Sequence, residues 1–352
     1  MSEYPKHLAA KTTNDHTKQI ALVRDRLARA GCTSEIGLIA LGGSHAYGLA
    51  TPESDVDLRG FATPTTRDIL LGRDFEQVQG TDGEDMTIYS LAKACRLMAQ
   101  CNPNMIELIG LDPDAILTDS TAYREMCHHP EWFLSKRAAY TFGGYATAQL
   151  RRLQNAMARD RDTHQLAEGE KRSLEATLAA LPDTYPMLKD RVTMSFDTLD
   201  TDDENVRIMV EVSTGRVPAT ELAAFARQLD SARKSAETIG KNRRKESRKL
   251  AKHASHLIRL LHMGAEILRF REVRTKRTDD AKLLLDLKQG MWLHEDELGR
   301  RTYDDEFWQL LDEAEADFED AKAHTALPDA PRLDELDGFV AACHRNIVMM
   351  NA

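Results

Sequence analysis

The sequence predicts an α+β protein in which a small sheet-bearing module over residues 1–130 precedes a mostly helical domain over residues 131–352. Three observations carry that expectation. Short apolar, β-prone runs at 36–41, 55–62, 75–79 and 85–89 are confined to the first part of the chain. From about Trp132 onward the patterns are nearly all helical. At 352 residues the chain also exceeds the size at which one core usually stops growing, so two domains are expected.

Residues 15–30 read as a first helix, because Ile20, Leu22, Val23, Leu27 and Ala28 form an apolar side and Gly31 stops it. Residues 36–41 form a buried strand that enters Gly42-Gly43. A second strand over 55–62 ends at Thr63-Pro64, and third and fourth strands follow at 75–79 and 85–89. A helix over 90–101 stops before Asn102-Pro103, and another begins at Met105. Beyond it, helical segments are punctuated at Gly143-Gly144, Pro182, Pro186, Pro218, Gly240, Gly290 and Pro328. Strands are not expected in this part, and residues 199–205, LDTDDEN, read as a flexible acidic loop. No period of solenoid length repeats.

With 42% hydrophobic and 30% charged residues, the composition is that of an ordinary soluble protein. No apolar run reaches membrane-spanning length and the opening residues lack a signal-peptide core, so a cytoplasmic location without membrane contact is expected. Cys32, Cys95, Cys101, Cys127 and Cys343 are scattered and odd in number, which suits reduced thiols. Cys127-His128-His129 has no second ligand pair at a zinc spacing. The net charge of −10 argues against a general nucleic-acid coat, yet residues 233–277 hold 15 Lys or Arg against 4 Glu. A local basic surface is expected inside an acidic protein. Residues 304–320 read as an amphipathic helix with a solvated acidic face.

The chemistry concentrates in the run Leu41-Gly42-Gly43-Ser44-His45-Ala46-Tyr47-Gly48, followed by Asp55-Val56-Asp57-Leu58-Arg59-Gly60. On a strand, Asp55 and Asp57 project to one side while Val56 and Leu58 face the core. Paired carboxylates repel unless a cation lies between them, and hard oxygen donors favour Mg²⁺ or Mn²⁺. Gly42, Gly43 and Ser44 can bring backbone N–H groups and a hydroxyl to phosphate oxygens. Arg59 shares the Asp57 face and is placed to steady a carboxylate or reach a phosphate; an ordinary ion pair is the competing reading.

Gly43-Ser44 and Asp55-Val56-Asp57, joined by an eleven-residue step from Ser44, resemble the signature of the DNA polymerase β-type nucleotidyltransferase superfamily. The longer string GGSHAYGLATPESDVDLRGFATPT is similar to its RNA-repair-ligase-associated branch, also found in bacteriophages. Asp85-Met86-Thr87-Ile88-Tyr89, Asn102-Pro103-Asn104-Met105-Ile106-Glu107-Leu108, residues 133–153 and 252–261 have counterparts there. The resemblance implies a small mixed-sheet, polymerase-β-like catalytic domain followed by a helical domain that completes the nucleotide and acceptor site. It also implies a third carboxylate from a nearby strand: Asp85 fits best, and Glu84 is its rival, one residue away and on the opposite face.

A second pattern lies near residues 244–270. At helical spacing Lys245, Lys249, Lys252, His256 and Arg259 share an arc of about 80°. Leu250, Ala254, Leu257, Leu261, Ala265 and Leu268 cluster on the opposite side, so the stripe is expected to face away from the core. A solvated basic face is the plain reading; the resemblance adds phosphate contact by Lys252 and His256. His45 and Tyr47 lie in the glycine turn and line a nucleotide pocket or shape the loop. Glu107 has no role deducible from the sequence. Phe142, Tyr145 and Gln149 at helical spacing indicate packing.

The resemblance therefore implies transfer of a nucleoside monophosphate from an NTP to an acceptor hydroxyl, with release of pyrophosphate. Asp55, Asp57 and Asp85 would be the catalytic and metal-binding acids, with Mg²⁺ or Mn²⁺ as cofactor, and Gly43, Ser44, Lys252 and His256 would bind the nucleotide. The expected acceptor is an RNA 3′ end, tRNA among the candidates. A protein side chain is the alternative acceptor, and an inactive nucleotide-sensing or scaffold protein is the alternative of another class.

Overall fold

Five strands near the N-terminus assemble on one long helix. The computed structural model describes residues 6–350 except 33–34, 53, 74, 82, 162–175, 177–184, 186–191, 199–205, 213–217, 237–246 and 298–299. Helix α1 (Lys6–Arg29) ends at Gly31, whose φ of 77° suits a residue without a side chain. It begins earlier than its apolar side suggested. Residues 6–14 contain no helix breaker, and their polarity hid the first turns from a reading based on periodicity.

Strand β1 (Ile36–Leu41) leads into a helical turn, α2 (Gly43–Ala46), and then β2 (Asp57–Ala62), α3 (Thr66–Leu70), β3 (Gln77–Gln79) and β4 (Asp85–Ser90) follow. Ser90 closes β4 and caps α4 (Leu91–Ala99) by accepting from Lys93 N at 3.2 Å, so strand passes into helix without a loop. After α5 (Pro103–Ile106) and a tight turn at Glu107–Gly110 come β5 (Ile116–Asp119), α6 (Thr121–His128) and α7 (Arg137–Arg161). The strand order is β3-β4-β2-β1-β5. β2 and β4 run parallel, and the other pairs are antiparallel, which makes the sheet mixed as expected. Edge strand β5 is four residues long and lies between turns, too short for its alternation to be read in the sequence.

Alternation along the strands divides the sheet's faces. Ile39, Leu58, Met86, Ile88 and Ala62 pack with Val23 and Leu27 of α1 in one buried cluster. Arg59 pairs with Ala40 on one side and Thr87 on the other, and Asp57 pairs with Asp85, so these polar residues occupy the opposite face. Gly60 stands where β2 and β1 approach closely: a Cβ there would lie 1.8 Å from Leu38 O.

Past residue 161 the description resumes with β6 (Val192–Thr198) and β7 (Val206–Val212), an antiparallel pair, followed by α8 (Ala219–Ala236) and α9 (Ser247–Phe270). Then come α10 (Ala281–Lys288), a short sheet of β8 (Leu293–Glu295) and β9 (Arg301–Tyr303), α11 (Asp305–His324) and α12 (Leu333–Met350). The expectation that strands cease after the first domain is therefore wrong. VTMSFDT and VRIMVEV alternate β-prone residues on either side of the acidic 199–205 segment, a hairpin signal outweighed by the helical sequence around it. Residues 199–205 themselves lie outside the described residues, as does Lys245.

Compactness divides the chain into two units, one of residues 1–151, 251–292 and 303–352 and the other of 152–250 and 293–302. Most of α9 and all of α10, α11 and α12 thus belong to the unit that contains the five-stranded sheet, a grouping unlike a linear split at residue 130. In the smaller unit Val192 and Phe225 are buried together, with the Tyr185 ring edge-on to Phe225 at 5.8 Å. Among the described residues no helix is long and apolar enough to cross a membrane.

A strap after α9 holds the glycine turn in place. Arg277 N donates to Tyr47 O at 2.9 Å, and Thr275 N donates to Gly110 O at 3.1 Å. The Arg277 guanidinium pairs with Glu266 and Asp280, and His262 Nδ1 lies 2.7 Å from Asp280 Oδ2. Burial opposes ionisation of Asp280, but hydrogen bonds from His262 and Arg277 outweigh it and hold the carboxyl down at about 2 against an ordinary 3.8.

Two outcomes follow from this packing. Gly60→Ala must move backbone to admit its methyl group, and thermal unfolding should show a loss of at least about 2 kcal/mol. An unchanged melting temperature would contradict the close β1–β2 approach. Because the folded-state carboxyl of Asp280 lies below its unfolded value, its stabilisation is fully present above pH 3.8 and is lost as the pH falls through about 2. Asp280→Asn should remove on the order of 2 kcal/mol of stability at neutral pH and flatten the acid unfolding curve in that window; denaturant melts across pH test both.

Candidate active site

The glycine turn and the start of β2 are locked together. Gly42 N donates to Asp57 O at 2.7 Å, which brings the backbone of residues 42–43 against the Asp57 side chain. A Cβ at Gly42 would lie 2.9 Å from Asp57 Oδ2 and 3.2 Å from Arg59 Nε, so a side chain there would displace the acid. Gly43 takes a φ of 53° and lies beside the same carboxylate, a conformation and a proximity that favour glycine. Ser44 and His45 are half-buried in the α2 turn, and His45 Nε2 is buried with no hydrogen-bond partner among the described residues.

Asp57 is 9% exposed and heads β2; its register partner across the parallel ladder is Asp85, the exposed first residue of β4. Arg59 Nε and Nη2 each lie 3.0 Å from Asp57 Oδ2. Burial raises the Asp57 carboxyl above its usual range, Arg59 opposes the rise, the Asp85 charge adds to it, and Lys252 opposes it. Glu84, the rival third acid, is committed elsewhere: it accepts Arg26 Nε at 2.9 Å and Nη2 at 2.7 Å, tying the turn before β4 to α1.

Asp55 lies outside β2, which begins at Asp57. Pairing of β2 with β1 begins at Leu58, so residues 55–56 have no partner strand to impose alternation; Asp55 is exposed and Val56 is 42% exposed instead of core-facing. Among the described residues no group of three or more His, Cys, Asp or Glu side chains is gathered for a metal ion. Asp57 and Asp85 are register partners on parallel strands, and the charge of one acts against ionisation of the other.

Of the predicted cationic stripe, the described lysines remain on the surface and Arg259 does not. Lys249 and Lys252 are exposed, His256 is half-buried, and Arg259 is only 4% exposed. The Arg259 guanidinium stacks on the Tyr47 ring, 3.6 Å from its centroid, and Tyr47 Oη donates to Glu107 Oε2 at 2.5 Å. Glu107 is 2% exposed; burial raises its carboxyl, and the Arg259 and Arg59 charges and the tyrosine hydroxyl oppose that rise. Helical spacing alone placed Arg259 with the lysines because the arc it shares with them is wide. Nothing in the sequence showed that a tyrosine from the glycine turn and a glutamate after α5 would receive it. Phe142 is fully buried, as expected for packing, whereas Tyr145 is 37% exposed and its Oη accepts from Asn102 Nδ2 at 3.2 Å, and Gln149 Oε1 meets His253 Nδ1 at 2.9 Å.

Residues 23–167 match the family described as the RNA repair pathway DNA polymerase beta family. An uncharacterized 38.9 kDa protein from the nrdC-mobD intergenic region of Enterobacteria phage T4 is 33% identical over 85 residues, 21% of this chain and 25% of that protein. The chain thus matches only a quarter of that relative's length. No solved structure matches the chain. The family match covers the sheet, the glycine turn, Asp57, Asp85 and Glu107, whereas Lys252 and Arg259 lie beyond it.

Tyr47→Phe removes the hydroxyl that Glu107 accepts from and leaves a buried carboxylate oxygen short of a donor. It should cost about 1–3 kcal/mol in denaturant unfolding. Equal stability of the variant and the parent would show that the bond contributes nothing.

Proposed function

We propose that the chain is a nucleotidyltransferase that moves a nucleoside monophosphate from an NTP to an acceptor hydroxyl. One observation carries this reading: Asp57 and Asp85 stand side by side on parallel strands, directly beside the side-chain-free Gly42-Gly43 turn. Carboxylates for a cation and backbone N–H groups for phosphate then serve one small volume. Asp57 and Asp85 would hold Mg²⁺ or Mn²⁺, with Asp55 joining from the exposed segment before β2. The ion supplies neutralisation of triphosphate charge and acidification of the acceptor hydroxyl.

The residues of the chain divide the remaining work. Gly43 and Ser44 present backbone N–H groups and a hydroxyl to the β- and γ-phosphates. Lys252, exposed and close enough for its charge to act on Asp57, reaches the phosphates from α9 together with His256. The acceptor oxygen attacks the α-phosphorus, the bond from that phosphorus to the bridging oxygen breaks, and pyrophosphate leaves with the electron pair; Asp85 takes the hydroxyl proton. An RNA 3′ end is the acceptor we favour, tRNA included. The RNA-repair description of the matching family and the excess of Lys and Arg over residues 233–277 support it.

The test is incubation of pure protein with each α-³²P-labelled NTP, Mg²⁺ and total cellular RNA plus protein, followed by separation of the labelled species. Label in RNA is the expected result; label in protein would shift the acceptor to a side chain, and no label in either would end the reading. Asp57→Ala should lower turnover by about three orders of magnitude in a folded protein, the usual scale for losing an essential electrostatic element. Lys252→Ala should instead raise KM for the NTP, and steady-state kinetics would refute a phosphate role by returning an unchanged KM.

A further inference from the structure

The stretch that leads from the glycine turn to β2 is held by a distant part of the chain. Residues 50–52 and 54–56 are in neither helix nor strand, and Asp55 and Val56 at their end are exposed. Support comes from the segment after α9. Arg277 N donates to Tyr47 O at 2.9 Å, and a Cβ on Gly48 would lie 3.5 Å from Lys276 Cγ, in ordinary contact. Lys288, the last residue of α10, then reaches two points of the same stretch: its Nζ donates to Leu49 O at 2.8 Å and to Ser54 Oγ at 3.4 Å.

Both sides of this contact are ordered. In the loop, Ser54 folds back on Thr51: Ser54 N donates to Thr51 O at 2.9 Å, and Ser54 Oγ accepts Thr51 N at 2.9 Å. On the helix, Leu284 and Leu287 are fully buried, and Ser255 Oγ of α9 donates to Leu284 O at 2.8 Å, so the half-buried Lys288 projects from a fixed base. One ammonium thus joins the beginning of the loop to its end, and its second acceptor is the residue before Asp55. No strand pairs with Asp55, because the β2–β4 ladder starts at Asp57 and the β2–β1 ladder at Leu58. The loop is therefore what sets Asp55 relative to Asp57. A ligand on such a segment binds well only where the segment is ordered beforehand, since ordering it on binding costs conformational entropy.

We propose that Lys288 is a positioning residue for Asp55: by stapling Leu49 to Ser54 it orders the loop that carries the Asp55 carboxylate to a divalent cation at Asp57 and Asp85. The proposal rests on the reading that Asp55 joins those two acids at such an ion. Lys288 acts through the loop and not through its charge. The two routes differ in sign, because a nearby ammonium repels a metal ion, and removing its charge alone would tighten metal binding. Loss of the staple weakens it instead.

The experiment is Mn²⁺ binding, read from the free-ion electron paramagnetic resonance signal, on the full chain and on Lys288→Met, Asp55→Asn and the double variant, with folding checked by circular dichroism and thermal unfolding. Lys288→Met should bind Mn²⁺ about tenfold more weakly, the lower end of the scale for groups that orient a metal ligand. Deuterium exchange of the backbone amides over residues 49–56 should quicken in the same variant. In the Asp55→Asn background Lys288→Met should change affinity by less than about twofold, because the ligand it positions is gone. Equal or tighter Mn²⁺ binding by Lys288→Met overturns the proposal, as does unaltered exchange of the loop or a defect of full size in the Asp55→Asn background. If Asp55→Asn leaves no measurable binding, the sign of the Lys288→Met change decides. If Lys288→Met does not fold, Ser54→Ala removes one end of the staple, and the same directions are required of it. No Mn²⁺ binding by the parent overturns the proposal together with the metal reading, whereas intact transfer and unchanged affinity in Lys288→Met overturn the proposal alone. The expected cycle in a protein that transfers no nucleotide refutes the reaction and leaves the proposal standing.

Discussion

The burial of charge against the polar face of a five-stranded sheet is the constraint on which the rest of this structure depends. Asp57, Glu107 and Arg259 are buried and Arg59 is half-buried. None of them could be there alone, because an isolated buried ion costs several kcal/mol even after relaxation. Each element that supplies one of them is therefore tied to the elements that supply the others. The opposite face, dry and closed by α1, gives the sheet the rigidity to hold this arrangement.

That dependence explains why the compact unit gathers distant parts of the chain. Residues 251–292 join residues 1–151. Arg259 stacks on Tyr47, Arg277 N caps the carbonyl of the same tyrosine, and Thr275 holds the Glu107 backbone. Tyr47 is thus clamped from three directions, and Tyr47 closes the turn that begins at Gly42-Gly43. The position of the glycine turn over Asp57 is in this sense set by residues more than two hundred positions later in the chain.

The sequence revealed elements with strong local signals and concealed those that depend on long-range partners. Strand β1, the parallel strand β4 and the stop of α1 at Gly31 were legible from apolar runs and a single glycine. The β6–β7 hairpin was legible in principle and was overlooked because its neighbours are helical. Around the candidate site, the glycines and Asp57 stood out by spacing, whereas the Asp57–Asp85 register and the Arg26–Glu84 ion pair are contained in no local pattern. The second strand was begun two residues early, at Asp55, because alternation was extended past the point where β2 has a partner strand. Arg259 was misplaced because a helical wheel shows direction and not depth. The depth came from Tyr47 and Glu107, residues whose meeting is a property of the tertiary fold.

If the proposed reaction holds, Asp57 and the glycine turn form one site in which a divalent cation and a triphosphate bind together. Calorimetric titration with a non-hydrolysable NTP analogue, with and without Mn²⁺, on the parent protein and Asp57→Asn measures this directly. The expected result is binding that depends on the cation and disappears in a folded Asp57→Asn protein. Triphosphate binding of equal strength without Mn²⁺, or undiminished binding by Asp57→Asn, would contradict it.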